Sequence, residues 1–156
     1  MGIREKNMKN AVKMVESVVR SLGLDPKKNR LETPTPGWGL AKGSAEVFIF
    51  LNPGDEDDKG NFLQCISPVL KVPEHQTNQL ALFHRLLQIN LDGLHGVAFA
   101  IKSDTVVLTA ARSTVDLDPS EVKDIILQIG YYADIYDDEL VNEFGGARHA
   151  DAAATA

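Results

Sequence analysis

The residue types in this chain most able to do chemistry are four histidines, one cysteine and a run of acids, and their spacing brings none of them together. His75 and His84 are nine residues apart. At ~100° per residue that separation puts them on opposite faces of a helix, so they cannot share an ion locally. Asp55, Glu56, Asp57 and Asp58, followed by Lys59 and Gly60, have the look of a calcium loop. Counting from Asp55, however, Lys59 falls fifth, where an oxygen donor is needed, and Ile66 falls where the bidentate glutamate belongs. The run reads instead as a solvated hairpin tip whose charge discourages association at the end of a sheet. Cys65 sits in an apolar stretch with no Lys, Arg or His beside it to lower its pKa, which marks a structural thiol. Ser67, Ser103 and Ser113 lie in no G-x-S-x-G elbow, and the G-W-G at 37–39 precedes a strand rather than opening a helix, so it is no phosphate loop. Asp137, Asp138 and Glu139 share one helical turn and read as a charged solvent face. No catalytic residue, metal or cofactor is expected.

Composition narrows the remaining classes. The 156 residues are 44% hydrophobic and 24% charged. A chain of this length buries roughly two-thirds of its unfolded surface and needs neither disulfides nor zinc to hold a core. One cysteine fits a cytoplasmic location, and no stretch is long and apolar enough for a signal peptide or a spanning helix, so no membrane role is expected. A net charge of −6 argues against nucleic acid as a partner, since affinity for it comes from neutralising phosphates. The charge is uneven: residues 1–30 hold eight Lys and Arg against three Asp and Glu, whereas 115–151 hold two against ten.

The elements can be read from periodicity. Met8, Val12, Val15, Val19 and Leu22 recur at steps of four and three and predict a helix over 6–22 that stops at Gly23. The following stretch, rich in Pro, Lys and Thr, is a loop. Three short apolar runs, GWGLAKG, AEVFIFLN and FLQCISPVLKV, predict a meander of three strands. After Pro73 a second helix carries Leu80, Phe83 and Leu87 on one stripe and Leu82, Leu86 and Ile89 on an adjacent one. So broad an apolar face implies burial on two sides. LHGVAFAI and TVVLTAARSTV flank Ser103 and Asp104 as a hairpin. Asp118, Pro119 and Glu121 supply an N-cap, a first-turn proline and a capping-box acid for the last helix, whose stripe from Val122 to Phe144 is closed by Gly145 and Gly146. The order is α-β-β-β-α-β-β-α, an α+β fold on a mainly antiparallel sheet, forming one domain over 1–146 with a frayed tail at 147–156.

The strand faces carry the functional expectation. Val47, Ile49 and Leu51 point one way while Phe48 and Phe50 point the other, so this strand is apolar on both sides. One side covers the helices of the domain itself. The other needs a further layer: a helix, a second subunit or a bound polypeptide. In the later hairpin, Val97, Phe99, Ile101, Val106 and Leu108 form a core face, opposite the small residues Ala98, Ala100, Thr109 and Ala111. Trp38, flanked by glycines, reads as packing or as an exposed contact on an edge strand. Trp38, Phe48 and Phe50 are the candidate partner-binding residues.

With this element order, the stretches MVESVVRSLGL, ISPVLKVPE, LLQINLDG and VDLDPSEVKDIILQIGYYADIYDDELVNEFG, within residues 8–145, resemble the bacterial YbjN-type proteins, grouped with type III secretion chaperones as peptide-binding chaperone-like domains. The resemblance implies an acidic, cytoplasmic, non-enzymatic homodimer that holds an extended segment of a protein client along its sheet and helix surfaces. An exposed sheet edge would add the segment as a strand. The rival readings are a regulatory subunit of one fixed protein partner and an enzyme with a pocket assembled from distant polar residues.

Overall fold

Alternation of side chains along residues 45–51 sends Val47, Ile49 and Leu51 into the interior and leaves Phe48 and Phe50 half-buried on the opposite surface. That strand is β2 (Ala45–Pro53) of a five-stranded antiparallel sheet in the order β1-β2-β3-β5-β4. The others are β1 (Gly37–Lys42), β3 (Asn61–Lys71), β4 (Ala98–Lys102) and β5 (Thr105–Ser113). The computed structural model describes residues 2–55 and 60–154. Of the acidic run read as a hairpin tip, residues 56–59 lie outside the described residues.

Three helices cover one face of the sheet. α3 (Pro119–Phe144) packs on β3, β2 and β5, with α1 (Ile3–Ser21) beside it towards β2 and α2 (Gln76–Asp92) towards β4. Val15, Val19, Ile126, Ile129 and Leu140 are fully or almost fully buried against Ile49, Leu63, Cys65, Leu70 and Leu108. The observed element order matches the expected α-β-β-β-α-β-β-α through α3. The start of α3 has the expected capping box. Asp118 Oδ1 accepts the amides of Ser120 and Glu121 at 2.8 and 3.1 Å, and Glu121 Oε2 accepts the amide of Asp118 at 3.0 Å. Orphan N–H groups of the first turn are thereby satisfied.

The tail departs from expectation over its described part. Instead of fraying, it turns back at Gly145 and Gly146 and bridges Arg148 to Leu70 of β3, and a short helix α4 (His149–Ala154) packs against β3. Sequence periodicity cannot reveal this contact, because it is made by a backbone carbonyl rather than by an apolar stripe.

The sheet edges are less open than the sequence implies. Along β1, the Leu31 amide donates to Gly37 O and the Gly39 amide to Asn29 O, both at 2.9 Å, so the preceding loop covers that edge. At β4, the Asn90 side chain of α2 takes both backbone groups of Phe99: its Nδ2 donates to the carbonyl at 3.2 Å and its Oδ1 accepts the amide. Occupied backbone groups cannot template another strand, so the expected exposed edge is blunted at both sides.

Candidate functional site

On the sheet face away from the helices lies an apolar groove of about 460 Å³. Its floor is set by register: Phe48 pairs with Ile66 across β2 and β3, and Pro68 pairs with Val107 across β3 and β5. Phe50 extends the floor towards β1, while Leu31 borders it on one side and His149 and the turn at 102–105 on the other. The G-W-G sequence makes room for the aromatics. A Cβ on Gly39 would lie 3.3 Å from the Phe48 ring, and one on Gly37 would lie 3.0 Å from the Phe50 ring, so both rings lean over β1.

Of the expected contact residues, Phe48 and Phe50 therefore come together in the groove. Trp38 does not join them. Pairing with Ile49 turns it to the helix side, where it is 0% exposed and its ring lies 4.5 Å from the Arg30 guanidinium. Its flanking glycines serve the opposite face. Ile66, Pro68, Val107 and Leu31 were missed by sequence reasoning, which followed alternation within one strand. They become neighbours of the phenylalanines only through the ladder register.

The polar margin of the groove is fixed by Lys71, which reaches Asp104 at 2.9 Å and draws its pKa down, chiefly through the side-chain hydrogen bond. His149 Nε2 lies 3.9 Å from Glu46 Oε2. Neither is placed as a reactive pair. Cys65, on the core face of β3, has its thiol pushed up to about 12 by burial, so it stays protonated and inert at neutral pH. Among the described residues, no group of three or more His, Cys, Asp or Glu side chains is gathered for a metal ion.

A second apolar surface belongs to α2. Leu82, Leu86 and Ile89 are buried, whereas Leu80, Leu87 and Leu91 are 64%, 70% and 82% exposed. At ~100° per residue the second set lies on the side of the helix opposite the first. The two stripes read from the sequence are thus a core face and a face without a cover in the monomer, with Phe83 half-buried between them.

An apolar sheet groove on this element order agrees with what the sequence matches. The family described as TY-Chap1, "T3SS (YopN, CesT) and YbjN peptide-binding chaperone 1", matches residues 9–152. The chain belongs to this family. Among solved structures, a chain of the ExsC–ExsE complex is 14% identical, with a TM-score of 0.57 over 90% of this chain and 97% of that one. A chain of the HopA1–SchA chaperone–effector complex is 13% identical, with a TM-score of 0.59 over 88% and 99%. A chain of the complex of the Yersinia pestis type III secretion chaperone SycH with a stable fragment of YscM2 is 14% identical, with a TM-score of 0.52 over 79% and 96%. At these identities the likeness is one of fold. No curated protein matches the chain by sequence. No helix among the described residues is long and apolar enough to cross a membrane.

Proposed function

We propose that this member of the peptide-binding chaperone family acts as a non-enzymatic, cytoplasmic homodimer that holds an extended apolar segment of a protein client in the sheet groove. The observation that carries the reading is the apolar floor of Phe48, Phe50, Ile66 and Pro68, half-buried side chains that line the open groove with the buried Val107 beside them. Extended segments present alternate side chains to one surface, the same spacing at which Phe48 and Phe50 follow each other along β2 and Ile66 and Pro68 along β3. The exposed leucines of α2 supply a separate surface for a second copy, so dimerisation and client holding do not compete for the same residues.

The test is affinity capture of the tagged chain from lysate of its host, side by side with the Phe48→Asp and Phe50→Asp variants. Polypeptides retained by the native chain and lost from both variants support the reading. Equal retention by all three removes the groove from it. One abundant polypeptide at a constant ratio to the chain would favour a fixed regulatory complex instead, while many polypeptides at low ratio favour chaperoning.

A further inference from the structure

The pairing of β2 with β3 stops at Phe48 and Ile66, yet β3 continues to Lys71, paired with β5 as far as Thr105. The side of β3 that faces β2 is therefore left without a neighbouring strand over residues 67–71. With the β1 edge paired by residues 29–31 and the β4 edge capped by Asn90, this is the interior stretch of the sheet where an added strand finds room, and it borders the groove through Pro68.

The segment after α3 occupies part of it. The Lys71 amide donates to Ala147 O at 2.9 Å, and Leu70 forms an antiparallel bridge with Arg148. Gly145 and Gly146 reach this position with φ of +78° and +90°. A Cβ on Gly146 would stand 2.6 Å from Lys71 O, a contact that backbone cannot relieve, so glycine is required for the approach. Two polar side chains tie the docked segment to the rest of the fold, Arg148 to Asp138 of α3 at 3.0 Å and His149 to Glu46 of β2 at 3.9 Å, while Arg148 and Asp151 pair within the segment at 2.8 Å. Arg148 is only 34% exposed and is forked on Asp151 through Nε at 2.8 Å and Nη2 at 3.1 Å, so its guanidinium is preordered for Asp138 and carries most of the side-chain hold. Residues 145–151, GGARHAD, contain no large apolar side chain, and only His149 reaches the margin of the groove.

We propose that residues 145–154 are a displaceable strap that pairs with the end of β3 in place of a client. The client is then an extended segment with apolar residues at alternate positions, which takes over the backbone bond of the Lys71 amide and the place of Arg148 opposite Leu70, and fills the floor that the strap leaves bare. This inference rests on the client-binding reading and adds its regulation: apparent affinity is reduced by the fraction of chains with the strap docked.

The test uses the full chain. Gly146→Val forces the strap from Lys71 O, and Arg148→Ala loosens it without backbone strain should the first variant fold poorly. Hydrogen exchange at the Lys71 amide rises about tenfold or more in either variant, while the Cys65 and Leu108 amides of the β3–β5 ladder keep their protection. A short fluorescein-labelled peptide of alternating valine and threonine, flanked by lysines, binds the variants about tenfold tighter than the native chain by anisotropy. Unchanged Lys71 exchange in both variants, or equal peptide affinity for all three chains, overturns the strap. Lys71 exchange requires no client, so it separates failure of the strap from failure of the groove, which is decided by peptide binding to Phe48→Asp in the Gly146→Val background.

Discussion

Trp38 pairs with Ile49 across β1 and β2, and both side chains are fully buried on the helix side of the sheet. The neighbours of Ile49 in sequence, Phe48 and Phe50, turn to the groove. One strand thus divides its residues between the core and the groove, and substitutions on its two faces have different consequences. Trp38→Ala removes a large core side chain and costs about 3–5 kcal/mol of stability, a substantial share of what a domain of this size has. Phe48→Asp leaves the core intact, moves the denaturation midpoint little, and lowers retention of bound polypeptide by more than about tenfold, as loss of a central aromatic contact does. Urea melts beside capture assays check both; a Phe48→Asp chain that unfolds as readily as Trp38→Ala would contradict the assignment of faces.

The exposed leucine face of α2 carries the second prediction. In a homodimer built on this surface, Leu87→Asp buries an unpaired carboxylate at the contact and separates the subunits. Light scattering at micromolar concentration then changes from twice the 17.0 kDa chain mass to once. A native chain that scatters as a single 17.0 kDa particle removes the dimer altogether.

Much of this architecture is legible in the chain because it is written at short range. The two faces of residues 45–51 follow from alternation, and the start of α3 follows from Asp118, Pro119 and Glu121 within one turn. The groove is only half legible. Phe48 and Phe50 announce an apolar outer face, but Ile66, Pro68 and Val107 join them through a strand register fixed by tertiary packing, and no local spacing encodes it. Trp38 shows the reverse case: between glycines it reads as packing or as an exposed contact, and it packs, while the glycines make room for Phe50 and Phe48 on the other face. The docking of Ala147 on Lys71 involves backbone groups, which every residue possesses, so composition is silent about it.

Burial of Cys65 gives a chemical readout of the fold. With its thiol pushed up to about 12 by desolvation, it is neutral and inaccessible in the native chain. A disulfide reagent such as dithionitrobenzoate labels it only through opening of the sheet, so labelling at pH 8 is slow and accelerates in proportion to the unfolded population on adding urea. Rapid stoichiometric labelling of the native chain would place Cys65 outside the core.

Two carboxylates, the N-cap Asp118 and Asp137 within α3, give stability opposite dependences on pH. Asp118 is held below the ordinary carboxylate range, first by its hydrogen bond from the Ser120 hydroxyl and then by the Glu121 amide. A depressed native pKa means the unfolded chain binds the proton more readily, so this contribution is fully present above the ordinary Asp value near 4 and is lost as pH falls through the depressed one. Asp137, buried beneath Ser44 and next to Asp138, is shifted upward, chiefly by desolvation. There the native chain binds the proton more readily, and stability falls as pH rises from the ordinary Asp value through the raised one. Asp118→Ala therefore melts well below the native chain at neutral pH, and the gap narrows on acidification. Asp137→Asn melts closer to or above the native chain at neutral pH and loses that relative advantage on acidification. Thermal melts of the three chains between about pH 3 and pH 7 check the signs, and gaps that stay constant across that range would show that neither carboxylate is linked to folding.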